Sequence, residues 1–386
     1  MDLSLFFDPV SDEIHELATD EPNFGQSIYI YHEQIPDLEG KHLALIGLLE
    51  TRGSLSQSSG YEEAADEVRK QLYNLQRGMG GYRIVDLGNL RNGPTLEDTY
   101  LRLKEVCAYL LDIEMVPILI GGTHDLVIGQ YRAYESQEKM INLMVVDSTI
   151  DIGASLDASG SHLGEIIKHD PNYLFQLLHL GHQSFLVGEE KFALMESLHF
   201  EAIRIGMIKN NLEEMEPVIR DADMLSFDLS AINQRFTPGG TRSGPYGLSG
   251  EEACQLCWYA GLNDKLTSIG FHEYEVDRDD DRYTSAFVLA TMIWYFIEGY
   301  YSRVEDKLFQ LENYLIYEVD RNEEPGSIRF FKSKRSEKWW MEVPDAQAEN
   351  SVFIKNKMIP CSYGDYEQAL NGDIPSRWLA AYARLG

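Results

Sequence analysis

Seven short apolar runs, separated by segments with helical periodicity, are the feature of this sequence that most limits its fold. Most positions in these runs are apolar, which is typical of parallel strands covered by helices on both faces. The sequence therefore predicts an α/β fold with a doubly wound, mostly parallel sheet of about seven to eight strands. The runs are 42–49, 82–87, 115–120, 142–147, 202–206, 224–228 and 266–270.

Helical patterns fill the intervals between these runs. Thr95 and Asp98 have the spacing of a capping box and predict a helix over 95–111. The apolar segment 173–178 is also predicted to be a helix, with His179 and His182 at its end. The pattern over 285–301 is predicted to form the last core helix. We therefore predict an α/β core over residues 1–304 and an appended C-terminal α+β module over 305–386.

The charge balance excludes several classes of partner. The chain has 386 residues, with 63 acidic against 33 basic side chains and a formal net charge of −30. Such a field repels phosphate backbones and anionic lipids, so we expect neither nucleic-acid nor membrane binding. The beginning of the chain lacks the basic region of a secretory signal, and the four cysteines are too scattered for a disulfide framework. We expect a cytoplasmic globular protein.

Acidic residues and histidines follow four of the predicted strands. Ligands bind to parallel sheets beyond the carboxyl ends of the strands, so these side chains are expected to converge. Three carboxylates and one imidazole could hold a divalent metal such as Mn²⁺. Asp125 and Asp151 could instead cap helices, and His124 could bind a loop carbonyl. The groups are His124 with Asp125, Asp147 with Asp151, Asp228 with Ser230, and Glu273 with Glu275.

The order of these motifs resembles the ureohydrolase superfamily of arginase, agmatinase and formiminoglutamase. The resemblance runs from about residue 40 to residue 303 and does not include the predicted module. It rests on four ordered segments, with Thr-Pro-Gly-Gly at 237–240 and Gly-Leu-Ser at 247–249 as further similarities. The four segments are Gly-Gly-Thr-His at 121–124, Asp-Ser-Thr-Ile-Asp at 147–151, Ser-Phe-Asp-Leu-Ser at 226–230 and Glu-Val at 275–276.

The resemblance implies a site that normally holds two Mn²⁺ ions with six ligands. By this resemblance His124 and Asp151 would bind one metal, while Asp147 and Asp228 would bridge both. Thr149 and Ser230 stand where the family has the second metal's own histidine and aspartate.

Hydroxyl groups are weak ligands, so we predict at most one weakly held Mn²⁺ per chain, or none. The affinity is expected to fall below about pH 6, where His124 would become protonated. Glu275 would bind the substrate amidine, or it could be a surface acid.

Two hypotheses for the function follow. In the first, hydrolysis of linear amidines is weak or absent, no catalytic residue is assigned, and the chain serves as a binding or assembly scaffold. In the alternative, the chain is an active metal-dependent hydrolase of a formiminoglutamate-, agmatine- or arginine-like substrate. Both hypotheses allow a small amidine or guanidine ligand and a homo-oligomer.

Overall fold

A large, mostly parallel sheet forms the centre of the molecule. The computed structural model describes residues 1–20, 23–54, 59–153, 158–304, 306, 310–321, 326–344 and 357–385. Residue 305 and the segments 307–309, 322–325 and 345–356 of the predicted module lie outside the described residues, as does residue 386. The strands of the large sheet are β1 (Phe7–Asp8), β2 (Ile28–Ile30), β3 (Leu43–Leu48), β4 (Ile84–Leu90), β5 (Val116–Ile120), β6 (Ile141–Val146), β7 (Leu174–His182), β8 (Glu201–Arg204), β9 (Met224–Asp228) and β10 (Ser268–His272).

Helices cover both faces of this sheet. The helices of the core region are α1 (Asp12–Asp20), α2 (Ala64–Tyr73), α3 (Leu96–Asp112), α4 (Val127–Arg132), α5 (His162–Lys168), α6 (Glu189–Ser197), α7 (Ile205–Asn210), α8 (Met215–Ile219), α9 (Gly250–Leu262) and α10 (Thr284–Tyr301). Leu43 and Leu45 of β3 belong to one apolar core, and the alternating Ala44 and Ile46 belong to a second core. A sheet with one core on each face is the doubly wound arrangement that the apolar runs predicted.

The strand order is β1-β4-β3-β5-β10-β9-β6-β7-β8, and β2 also pairs with β4. Every pairing in this sheet is parallel except that of β1 with β4. The α/β prediction and the parallel direction are confirmed. The described residues contribute ten strands, however, so the predicted number of seven to eight was too low. Two of the additional strands, β1 and β2, have only two and three residues, which is too short for a recognisable pattern.

The third additional strand, β7, corrects the helix predicted over 173–178. The segment from Leu174 to His182 is a strand in which its last seven residues are buried. A buried strand has no alternation of polar and apolar residues, so periodicity alone does not distinguish it from a buried helix. The correction moves His179 and His182 from a helix end to the carboxyl end of a strand in the large sheet.

A second, antiparallel sheet follows α10 and forms the C-terminal α+β module. Its strands pair in chain order. The elements are β11 (Tyr314–Asp320), β12 (Ser327–Ser333), β13 (Trp339–Val343), β14 (Lys357–Cys361), α11 (Tyr363–Leu370) and α12 (Ser376–Leu385).

A buried aromatic contact joins the module to the residue that follows α8 of the core. The guanidinium of Arg220 lies 4.5 Å from the centre of the Trp340 ring. The Nη2 group of Arg220 also donates a hydrogen bond to the carbonyl of Cys361 at 3.2 Å. Both Arg220 and Trp340 are buried, so this contact removes a cation and an aromatic face from water. Among the described residues, no helix is long and apolar enough to cross a membrane.

Candidate metal centre

The site lies where four adjacent central strands end. In the order β5-β10-β9-β6, neighbouring strands are parallel, so their carboxyl ends meet at one edge of the sheet. His124 follows β5, Glu273 follows β10, Asp228 ends β9, and Asp147 follows β6. The topology therefore brings together side chains that are up to 149 positions apart in the sequence.

The loop after β5 fixes the position of His124. Gly121 and Gly122 have φ angles of +93° and +70°, which favour glycine, and the turn leads into a short 3₁₀ helix, His124–Leu126. Nε2 of His124 lies 2.8 Å from Oγ of Ser226, at hydrogen-bonding distance. The other ring nitrogen, Nδ1, lies 3.2 Å from Oδ2 of Asp228. The imidazole therefore directs Nδ1 at the carboxylates.

Each of the three predicted aspartate ligands has one oxygen, Oδ1, that accepts hydrogen bonds. Oδ1 of Asp147 accepts from Oγ of Ser230 at 2.7 Å and from the Thr149 amide at 3.0 Å. Oδ1 of Asp151 accepts from Oγ1 of Thr149 at 3.0 Å. Oδ1 of Asp228 accepts from the Ser230 amide at 2.6 Å. Thr149 and Ser230 thus satisfy one oxygen of every aspartate.

The other oxygen, Oδ2, is buried in all three aspartates and has no hydrogen-bond partner among the described residues. The same holds for Nδ1 of His124. Buried polar atoms without hydrogen bonds are costly, and a group of them directed at one place fits a cation. Ligand atoms of His124, Asp147 and Asp228 lie within 4.8 Å of one another, so these residues could hold one divalent ion.

His162 belongs to the same cluster, although the sequence assigned it no role. It begins α5, and its ring centre lies 4.3 Å from that of His124. Its Nδ1 lies 2.8 Å from the Ser159 carbonyl, while Nε2 is buried without a partner in the described part of the chain. His124, Asp151 and His162 form a second group of ligand atoms within 4.8 Å. The cluster therefore offers two overlapping ligand sets that share His124.

The pKa values of His124 and Asp151 reflect the negative charge of the cluster. Burial alone would lower the pKa of His124, but the carboxylates of Asp147 and Asp228 outweigh it and raise this pKa to about 10. Burial, together with the charge of Asp147, raises the pKa of Asp151. Without a cation, the cluster therefore retains protons on His124 and Asp151 at neutral pH. A metal ion would replace those protons.

Glu275 is buried, so its alternative interpretation as a surface acid was wrong. Its Oε2 accepts a hydrogen bond from Nε of Arg278, and its predicted role in substrate binding stays a prediction. Glu273, two residues earlier, is the buried acid that contacts the cluster. It accepts hydrogen bonds from the His124 amide at 2.8 Å and from the Tyr61 hydroxyl at 2.9 Å. The family resemblance pointed to Glu275, whereas the acid that contacts the cluster is Glu273, the other residue of that predicted pair.

A guanidinium group also lies at the cluster. Nη1 of Arg242 is 3.7 Å from Oδ2 of Asp151, and Nη2 is 3.8 Å from Oε1 of Glu273. Nη2 also donates a hydrogen bond to Oγ of Ser159 at 2.7 Å. Arg242 stands in the loop after Thr-Pro-Gly-Gly at 237–240, and no sequence pattern indicated that its side chain reaches the strand ends.

Comparisons with known proteins point to one family. The model of the arginase family matches residues 41–298. A formimidoylglutamase from Staphylococcus haemolyticus is 23% identical over 276 residues, which cover 69% of this chain and 88% of that protein. A formimidoylglutamase from Staphylococcus carnosus is 26% identical over 243 residues, covering 59% of this chain and 77% of that one.

Solved structures show the same fold. A crystal structure of Trypanosoma cruzi formiminoglutamase with Mn²⁺ has a TM-score of 0.64 at 17% identity, covering 70% of this chain and all of that one. A hypothetical agmatinase from Burkholderia thailandensis has a TM-score of 0.58 at 16% identity, covering 69% of this chain and 88% of that one.

Proposed function

The chain belongs to the arginase family, and we propose that it is a member with a single cation site, in which hydrolysis of linear amidines is weak or absent. The proposed ligands are His124, Asp147, Asp151 and Asp228. The observation that supports the proposal is that the two oxygens of each carboxylate differ in their hydrogen bonding. One oxygen of each aspartate is hydrogen-bonded to residue 149 or 230, and the other is buried without a hydrogen bond in the described residues.

The different hydrogen bonding of the two carboxylate oxygens favours one cation over two. A second dication would need further oxygen or nitrogen ligands and the free lone pairs of the shared carboxylates. Oδ1 of Asp147 already accepts from Ser230 and Thr149, and the hydroxyls of these residues are poor ligands. When bound, a single Mn²⁺ would supply Lewis acidity toward a water or carbonyl oxygen. The stabilisation of developing charge by a second ion would be absent, which supports a low rate.

An active metal-dependent hydrolase of a formiminoglutamate-, agmatine- or arginine-like substrate is the second candidate. One observation favours it: His162 adds a second buried imidazole, with Nε2 free of partners in the described residues, to the cluster. An imidazole in this place could hold or move a proton. It could also complete the second ligand set with His124 and Asp151.

A metal count combined with a turnover assay tests the proposal. Protein purified without chelators is expected to contain at most one Mn²⁺ per chain and to lose it on dialysis against a chelator. With excess Mn²⁺, release of formamide or urea from formiminoglutamate, agmatine and arginine is expected to stay below about 1 per second, the low end of ordinary enzyme rates. Two tightly held ions, or faster turnover, would support the active hydrolase instead.

Three wider proposals accompany this one. We propose that the chain acts as a binding or assembly scaffold and as a homo-oligomer, because the second sheet lies beyond the residues that the family model matches and adds surface to the core. We propose a cytoplasmic location, which the four free and buried cysteines support. The net charge of −30 supports the absence of nucleic-acid and membrane partners.

A further inference from the structure

Arg242 lies between solvent and the acids of the cluster. Its side chain is 34% exposed, whereas the side chains of Asp151 and Glu273 are 3% and 1% exposed. Within the described part of the chain, Arg242 is the arginine that forms ion pairs with both acids. A ligand that approaches these carboxylates from the side of Arg242 must therefore pass it or displace it.

The backbone next to Arg242 is fixed to the same strand end. The amide of Thr241 donates a hydrogen bond to the carbonyl of Glu273 at 3.1 Å. The hydroxyls of Thr241 and Tyr61 lie 2.6 Å apart, at hydrogen-bonding distance. Ser159, which accepts from Arg242, donates in turn to Oε1 of Glu273. These bonds hold the guanidinium over the acids.

The charges around Arg242 favour this position. Burial alone would lower its pKa, but the carboxylates of Asp228, Asp151, Glu273 and Asp147 outweigh burial and raise it. An amidinium or guanidinium ligand has the same charge and the same planar arrangement of N–H donors as the arginine head group. Such a ligand would compete with Arg242 for the same carboxylates.

We propose that the side chain of Arg242 occupies the position that a cationic amidine would take, so that the site rejects cationic amidines and guanidines. The inference deepens the proposed function by naming the ligand class that is excluded, and it rests on that proposal for the identity of the site. It does not depend on a bound metal. Removing the side chain is expected to leave a space that accepts a free guanidinium ion.

Chemical rescue of the full chain, stripped of metal with a chelator, tests the proposal. Thermal unfolding of Arg242→Ala is measured in low-millimolar guanidinium chloride and in the same concentration of sodium chloride. Guanidinium is expected to raise the Tm of the variant by at least about 3 °C relative to sodium, because it binds only the folded state. The wild type and the control Arg235→Ala, which removes an exposed arginine from the same loop, are expected to show no difference.

Agmatine binding, measured by calorimetry on metal-free protein, provides the second measurement. The wild type is expected to give no binding heat, and Arg242→Gln, which keeps a polar side chain should the alanine variant not fold, is expected to bind agmatine. Agmatine binding by the wild type would overturn the proposal, and so would a lack of response to both cations in the folded variants. Neither result would alter the metal count. Two Mn²⁺ ions in the wild type would contradict the proposed function and leave the rescue result standing.

Discussion

Oγ of Ser230 donates a 2.7 Å hydrogen bond to Oδ1 of Asp147, across the ends of the neighbouring strands β9 and β6. Asp147 is one of the two residues that the family resemblance assigns to both metals, and Ser230 stands at a position assigned to the second metal alone. A hydrogen bond between two protein groups therefore occupies a carboxylate lone pair that a second cation would need. Five predictions follow from this cluster and from the contact that attaches the module.

Introducing the two ligands that the family resemblance places at positions 149 and 230 is expected to create a second metal site. In Thr149→His with Ser230→Asp, the hydroxyls that donate to Oδ1 of Asp147 and Asp151 are replaced by an imidazole and a carboxylate. The Mn²⁺ content is expected to rise from one toward two per chain, as measured by elemental analysis. The control Thr149→Val with Ser230→Ala removes the same hydrogen bonds without adding ligands and is expected to stay at one or below.

Two variants are expected to distinguish the overlapping ligand sets. Asp228→Asn removes a carboxylate from the set with His124 and Asp147. Mn²⁺ affinity is expected to fall by at least about 100-fold, because the loss of a direct ligand costs at least as much as the loss of an outer-shell partner. His162→Ala removes only the alternative set and is expected to change affinity by less than about threefold. Titration of each metal-free variant with Mn²⁺ measures both effects. The reverse ranking would place the ion between His124, Asp151 and His162.

Metal-free protein is expected to lose stability as the pH rises from about 6.5 to about 10. The pKa of His124 is about 10 in the folded state and about 6.5 in the unfolded chain, so its stabilising proton is fully present below 6.5 and lost as pH approaches 10. The raised pKa of Asp151 acts in the same direction. Thermal unfolding across this range, with and without Mn²⁺, measures the effect, which the metal is expected to reduce.

The same pKa alters the expected pH dependence of metal binding. Because His124 remains protonated well above pH 6, Mn²⁺ must displace a proton even at neutral pH. The apparent affinity is therefore expected to weaken from about pH 10 downward, rather than only below about pH 6 as the sequence predicted. An affinity that stays constant between pH 7 and pH 9 would contradict this reasoning.

Removing the aromatic contact between module and core is expected to be strongly destabilising. Trp340→Ala deletes a buried ring beneath the guanidinium of Arg220, and the expected loss in the free energy of unfolding is about 3–5 kcal/mol. Urea unfolding measures it. The matched control is Tyr363→Ala in the same module, where the side chain is 53% exposed and the expected loss is much smaller. Equal losses would show that Trp340 does not anchor the module.

The parts of the fold that the sequence predicted correctly are those with a recognisable pattern within one short segment. Thr95 and Asp98 form the predicted capping box at the start of α3, and each apolar run overlaps a strand of the large sheet. The segment from Leu174 to His182 was assigned to a helix because a buried strand and a buried helix are both continuously apolar. Pairing with neighbouring strands is what favours a strand here, and the sequence of a single segment does not encode that pairing.

The residues of the candidate site likewise fall into those that the sequence could place and those that it could not. His124 and Asp228 could be placed because they stand at strand ends in a recognisable order, and the topology brings their ligand atoms together. Arg242 and His162 reach the cluster from a loop and from a helix start. Their positions depend on backbone contacts such as that between Thr241 and Glu273, which join distant segments. Residue spacing contains no information on those contacts.

The central location of β5, β10, β9 and β6 in the large sheet also determines how metal can be exchanged. Each of these strands has a parallel neighbour on both sides, so opening any one of them requires breaking two ladders of backbone hydrogen bonds. Their amides are therefore expected to be among the slowest to exchange with deuterated solvent, near the limit of global unfolding. Strands that stay closed would keep the ligand positions in place when no ion is bound. Cation loading and release would then be equilibria of an already folded receptor, in contrast to small metalloproteins that fold only when they bind their metal.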